Sequence, residues 1–262
     1  MPSDELEGVL KPEWPAPAGV GALMSTRAGG VSAAPFNALN LGDAVGDDPA
    51  AVIGNRARVA AVIGGAVPVW LRQVHGTRVL RLTAANAAAL VDAPPPEADA
   101  AVTGEPGVAC VVQVADCLPV LLAAANGRAV GAAHAGWRGL AGGVLENTLA
   151  EVCALAQCAS ADVLAWLGPC IGPQAFEVGE DVLRGFGADP AGGDAAFTWR
   201  PRPDGSARWL ADLPQLARRR LGLAGLRQIR GGQWCTVQDE SKFFSFRRDR
   251  VTGRQAAVIW LR

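Results

Sequence analysis

Short apolar runs punctuated by single polar or glycine positions dominate the middle of the chain. Val108 to Val114, Leu118 to Ala123 and Ala129 to Ala133 are such runs, separated by Asp116 and by an Asn126-Gly127 pair. Segments this short and this apolar, bounded by turn residues, predict strands buried on both faces, the last two joined as a hairpin. After the glycine-rich stretch Gly136 to Gly143, Leu145, Leu149, Val152 and Leu155 recur at three- and four-residue intervals. That spacing predicts an amphipathic helix over Val144 to Ala156. Val163 to Leu167 predicts another strand, Asp181 to Phe186 a short helix, Leu213 to Leu221 a helix with a basic face, and Ala256 to Leu261 a closing strand. The mixture predicts a single α/β (α+β) domain, a mixed β-sheet with flanking helices.

Composition narrows the function classes. The 262 residues, 50% hydrophobic and 19% charged, suffice to bury a sizeable core, and no Pro/Gly-rich stretch is long enough to read as a linker. Lys and Arg number 24 against 25 Asp and Glu, a net charge of -1, which builds in no attraction to nucleic-acid backbones or anionic membranes. Mean hydropathy is +0.19, yet the longest apolar runs, Val67 to Leu71 and Cys117 to Ala125, fall far short of the roughly 20 residues of a spanning helix. The acidic, proline-punctuated start lacks the pattern of a secretory signal, so cytoplasmic residence is expected. The six cysteines form no CxxC pair and sit in apolar surroundings, as reduced thiols do.

Candidate chemistry centres on the two histidines of the chain, His75 and His134, and on Asp116-Cys117, which stands between two predicted strands. Two imidazoles and a thiolate suit a borderline-soft divalent ion and leave a fourth position for water or substrate. The same atoms also read as a nucleophile, Cys117, with a histidine base and Asp116 as orienter. A third reading makes the histidines satisfied strand-end residues and Cys117 a small buried hydrophobe. Gly136-Trp-Arg138-Gly-Leu-Ala-Gly-Gly143 enters a helix and offers backbone N–H groups and an arginine to an anion. Thr26-Arg27-Ala-Gly-Gly-Val-Ser32 is a second glycine-rich, arginine-bearing loop. Phe243-Phe-Ser-Phe-Arg-Arg-Asp249 reads as a strand that packs its aromatics and exposes its arginines.

Taken together, Thr26 to Ser32, Leu39-Asn-Leu-Gly42, Gln73-Val-His-Gly76, Ala115-Asp-Cys-Leu-Pro119, His134-Ala-Gly-Trp-Arg-Gly139, Gly168-Pro-Cys-Ile-Gly-Pro173 with Phe176-Glu-Val178, and Phe243 to Arg248 with Thr252-Gly-Arg254 resemble the YfiH-type, or laccase-domain, family. The resemblance runs in order over residues 26–262, with residues 1–25 expected to join the same domain. It implies a cysteine-hydrolase-like fold in which His75, Cys117 and His134 gather around one zinc, with copper as an in vitro alternative. It further implies phosphorolysis of adenosine, inosine, guanosine and methylthioadenosine, together with adenosine deamination, so the expected partners are a nucleoside and phosphate. Cys117, His134 and Asp116 are the expected catalytic residues. Arg27, Asn40, Gln73 and Arg138 are expected to bind substrate and phosphate, with Asp116 orienting a histidine or relaying a proton. Rival readings are an amidase that removes serine from a UDP-muramyl precursor, and a metal- or partner-binding protein without turnover. Two histidines cannot supply the ligands of several copper centres, which argues against the family's oxidase label. The pair Gln174-Ala175 departs from the family pattern at the expected pocket edge and bears on substrate preference.

Overall fold

Two β-sheets packed face to face, each covered on its outer side by helix, organise the molecule. The computed structural model describes residues 8–91 and 93–262, so residues 1–7 of the expected N-terminal segment lie outside the described residues. In chain order the elements are β1 (Val9–Leu10), β2 (Val20–Ser25), α1 (Pro49–Val62), β3 (Val67–Val69), β4 (Val79–Leu82), α2 (Ala84–Leu90) and β5 (Ala100–Thr103). There follow β6 (Val108–Val114), β7 (Leu118–Ala124), β8 (Val130–Ala135), α3 (Trp137–Gly142), α4 (Val144–Ala156) and β9 (Val163–Leu167). The last third holds β10 (Glu177–Val178), α5 (Glu180–Gly185), β11 (Phe197–Trp199), β12 (Trp209–Ala211), α6 (Leu213–Leu223), β13 (Gln228–Gly231), α7 (Phe246–Asp249) and β14 (Gln255–Leu261).

The five-stranded sheet runs β1-β2-β14-β6-β3, the six-stranded sheet β13-β9-β7-β8-β5-β4, and a small third sheet β10-β12-β11. Both large sheets are mixed: β3 pairs parallel with β6, β4 with β5 and β13 with β9, the other pairs being antiparallel. The strand pattern explains the layering. On β6, Val108, Cys110, Val112 and Val114 face the inter-sheet core while Ala109 and Val111 face α1. On β14, Ala257, Ile259 and Leu261 face inward, and Ala256, Val258 and Trp260 face α1. With both faces covered, alternation disappears and the strand reads as one apolar run. On the far side, Leu145, Leu149 and Val152 of α4 and Leu216 and Leu221 of α6 pack on the six-stranded sheet. Gly131 permits this approach: a Cβ there would stand 2.9 Å from Val102 and 3.1 Å from Val152.

The expected β6, the β7–β8 hairpin, α4, β9, α5, α6 and β14 all form, within a residue or two at their ends. Two expectations are corrected. One mixed sheet becomes two large mixed sheets and a small third one, the chain leaving the five-stranded sheet after β6 and entering the six-stranded sheet at β7. The stretch Phe243 to Asp249 is not a strand: Phe243 and Phe244 are fully buried, Ser245 caps α7 by accepting from the Arg248 N–H, and Arg247 and Arg248 are half-buried rather than exposed.

Candidate metal centre and its cleft

The crossing between sheets creates the site. Asp116, with φ +92°, turns the chain from β6 into β7 and leaves Cys117 at the corner. Its carboxylate accepts from the Thr236 hydroxyl (2.6 Å) and the Arg247 N–H (2.6 Å), and its carbonyl accepts from the Ile171 N–H (2.9 Å). The left-handed conformation, unfavourable for a non-glycine residue, is thus held from three sides. His134 lies near the end of β8, and His75 lies in the loop between β3 and β4.

Asp99, immediately before β5 and fully buried, ties this together. Its carboxylate accepts the backbone N–H groups of Val74 (3.2 Å), His75 (2.8 Å) and Gly76 (2.7 Å), which fixes the loop carrying His75. It also accepts from Nδ1 of His134 at 2.8 Å. An ionised carboxylate only accepts, so Nδ1 carries a proton, and Nε2 of His134 is left to bind a ligand once the imidazolium gives up its second proton. Burial alone would raise the Asp99 pKa, but the His134 hydrogen bond and the loop amides hold it below the ordinary carboxylate range.

The donor atoms of His75, Cys117 and His134 all lie within 4.8 Å of one another, with Cys117 Sγ 3.6 Å from His75 Nε2. Burial would push the Cys117 thiol up; the His134 imidazolium and the His75 ring overcome it and bring the thiol down to about 6. Burial likewise works against a charged His134, yet Cys117 and Asp99 raise it to about 9. Gly136 leaves the space beside these donors open, since a Cβ there would meet His75 Cδ2 at 2.7 Å and Cys117 Sγ at 3.0 Å. A thiolate, two imidazoles and a carboxylate orienting one ring are the donor chemistry of a divalent-metal site, and the residues fit such an ion.

The three donors line a cleft of about 710 Å³, a size suited to a small organic molecule. Of the residues expected from sequence, Gln73, Asp116 and Arg138 also line it, whereas Arg27 and Asn40 do not. Gln73 clamps Gln113 at the end of β6, its amide donating to the carbonyl (2.8 Å) and accepting from the N–H (2.7 Å). Arg138 is exposed, with its guanidinium 4.4 Å from the Trp137 ring. Arg27 is spent elsewhere, donating to the carbonyls of Asn37 and Glu240 and lying 5.0 Å from the Phe244 ring. Asn40 is buried and shapes the rim, donating to Gly42 and Asp47 and accepting the N–H groups of Gly42 and Arg254. The carboxylate that orients a histidine is Asp99, not Asp116, whose oxygens are occupied by Thr236 and Arg247. Gln174 and Ala175 do not line the cleft, although the Ala175 carbonyl accepts from Arg247.

Sequence reasoning assigned no role to Arg247 and Arg254, both of which line the cleft. Arg254 donates to the carbonyls of Thr252 and Gly253; burial pushes its guanidinium down, while nearby Cys117 and Asp116 pull it up. Arg247 donates to the Glu177 carbonyl at 3.1 Å and lies 5.5 Å from the Phe176 ring. Phe246, 48% exposed, lines the same cleft, with the Arg254 guanidinium 6.0 Å from its ring centre. The available signal was the aromatic-basic run Phe243 to Arg248 followed by Thr252-Gly-Arg254.

A family model described as multi-copper polyphenol oxidoreductase laccase matches residues 21–262. The protein called purine nucleoside phosphorylase YfiH in Escherichia coli is 47% identical over 254 residues, spanning 97% of this chain and 98% of its own. Purine nucleoside phosphorylase PA4543 of Pseudomonas aeruginosa is 46% identical over 96% of this chain and 98% of its own. Among solved structures, protein NMB0706 of Neisseria meningitidis superposes with a TM-score of 0.86 at 45% identity, covering 97% of this chain and 99% of that one. YlmD from Geobacillus stearothermophilus gives 0.87 at 34% identity, covering 98% and 97%.

Proposed function

The chain belongs to the multi-copper polyphenol oxidoreductase laccase family, and on that premise we propose that it is a zinc-dependent purine nucleoside phosphorylase acting on adenosine, inosine, guanosine and methylthioadenosine, with adenosine deamination as a side reaction. The observation that carries the reading is the convergence of His75, Cys117 and His134 in a cleft that arginines also line. The names of the relatives from Escherichia coli and Pseudomonas aeruginosa support it. The family's oxidase label finds no support in a chain with two histidines, which with Cys117 make one three-donor group among the described residues rather than an array of copper centres.

A zinc ion held by these three side chains supplies Lewis-acid polarisation of a substrate oxygen or activation of water. The remaining work falls to the chain. Phe246 offers a stacking surface to the purine, the favourable contact for a flat aromatic ring. Arg254 and Arg138, which line the cleft together with Arg247, are the groups that hold phosphate against the sugar carbon; this role passes to them from Arg27, which lies outside the cleft. Partial burial strengthens an arginine–phosphate contact by removing competing water. Asp99 holds His134 in one tautomer and His75 in one loop conformation, so neither is reorganised when substrate arrives. The apolar surroundings and CxxC-free spacing of the six cysteines support cytoplasmic residence.

The thiol of Cys117, brought down beside two imidazoles, favours one second reading: a cysteine nucleophile that cleaves an amide, such as the seryl amide of a UDP-muramyl precursor. Product analysis separates the two. Zinc-loaded protein is incubated with adenosine, with and without phosphate. The phosphorylase reading predicts ribose 1-phosphate and adenine only with phosphate and only with metal. Turnover of an amide substrate by metal-free protein, abolished in Cys117→Ala, supports the second reading instead.

A further inference from the structure

Cys117 belongs to the metal centre and Cys110, Cys170 and Cys235 are buried. That leaves Cys153 and Cys158, both half-buried and both lining one surface hollow with Asn126, Gln157 and Asp162. They meet because of how α4 ends. Gln157 adopts the left-handed conformation, φ +53°, and its N–H returns to the Cys153 carbonyl. The Cys158 N–H bonds the same carbonyl at 3.1 Å. This six-to-one closure brings together the side chains of the residue three from the helix end and the residue just beyond the turn. In most helices that contact is between hydrophobic side chains; here both partners are thiols. Both also pack against the edge of the core beneath the six-stranded sheet, so neither is free to swing away. Burial and, after it, the adjoining Cys153 thiol push Cys158 up, while Cys153 Sγ also lies 4.0 Å from the Ser160 hydroxyl.

We propose that Cys153 and Cys158 form a dithiol that closes to an intramolecular disulfide by exchange with a low-molecular-weight disulfide such as oxidised glutathione. One thiolate attacks the glutathione S–S bond, forming a mixed disulfide and releasing one glutathione thiolate. The second cysteine, deprotonated, attacks the protein sulfur of that mixed disulfide and releases the other glutathione. The protein dithiol loses two electrons and two protons, and one glutathione disulfide becomes two thiols. Because the Cys158 thiol is raised, exchange accelerates as pH rises above neutrality. The closed form staples the end of α4 to the segment entering β9. The pair stands at the opposite end of the 13-residue α4 from the turn that joins it to α3.

The test uses the full-length protein, reduced and then equilibrated with oxidised glutathione at mildly alkaline pH, alkylated, digested and mapped by mass. The expected result is a Cys153–Cys158 cross-link that a thiol reductant reverses, with Cys110, Cys170 and Cys235 alkylated only after denaturation. Cys158→Ser traps glutathione on Cys153, and Cys153→Ser traps it on Cys158. The proposal is overturned by stable glutathione adducts on either cysteine of the unsubstituted protein, by pairing with any other cysteine, or by recovery of both residues as unmodified thiols at equilibrium.

Discussion

Replacing Asp99 by Asn isolates the contribution of one buried carboxylate to the metal centre. One oxygen accepts from His134 Nδ1 and the His75 N–H, the other from the Gly76 and Val74 N–H groups. The amide has a single accepting oxygen. In its better orientation it keeps His134 and His75 and turns its NH2 toward the other two donors. Each stranded donor costs roughly 1–3 kcal/mol. Val74 is exposed and Gly76 half-buried, so water recovers part of this, and about 2–3 kcal/mol remains. For a chain of this size that is a fall in Tm of roughly 5–10 °C. Metal affinity falls by about 10–100-fold, because the carboxylate sets both the tautomer of His134 and the placement of His75. The Asp99 pKa is depressed in the folded protein, so its stabilisation is complete above about pH 4 and is lost as pH falls below that value. Zinc competition against a chromophoric chelator at neutral pH, alongside thermal melts, reads both effects. Unchanged zinc affinity in a folded Asp99→Asn protein refutes the assignment of Asp99 as the residue that orients the ligands.

Other perturbations probe the same centre. In metal-free protein Cys117 alkylates with a midpoint near pH 6 and zinc protects it; a midpoint near pH 8.5, ordinary for a thiol, removes the imidazole effect. Gly136→Ala forces a Cβ to within 3.0 Å of Cys117 Sγ and 2.7 Å of His75, so zinc stoichiometry measured by elemental analysis drops well below one per chain while the secondary-structure signal is kept. Arg254→Lys and Arg138→Lys preserve charge but lose the planar fork, so the KM for phosphate rises by about tenfold or more. Arg27→Lys leaves that KM within about twofold and lowers Tm instead, through loss of its contacts to Asn37, Glu240 and Phe244.

What could be read from sequence followed the strength of local signals. Strands β6, β7, β8 and β9 and helix α4 were legible because buried apolar runs and a three-to-four spacing are properties of contiguous residues. Helix α1 was not: its core contacts rest on Val52 and Val59, and the buried Asn55 interrupts the stripe in order to accept from the Val31 N–H and donate to Ser32, Ala38 and Asn40. The division into two sheets was hidden because Ala115-Asp116-Cys117 has the same appearance whether the chain turns within a sheet or leaves it. The three metal donors stood out through the scarcity of histidine. Asp99 did not, because its partners lie 23 to 35 residues away and a single acid before an apolar run resembles an ordinary turn residue. Arg247 and Arg254 escaped because a strand was expected where the chain forms a capped short helix whose following residues return to the cleft.

The central claim is that three donors and an arginine-lined cleft perform phosphorolysis. Its most direct test is the product mixture formed from adenosine by zinc-loaded protein, by the same protein stripped with chelator, and by His134→Ala, each with and without phosphate. The account predicts that the loaded protein with phosphate forms ribose 1-phosphate in an amount equal to adenine and hypoxanthine together, and that the stripped or substituted protein forms none. Equal adenine release with and without phosphate, or unchanged turnover after zinc is stripped, contradicts it.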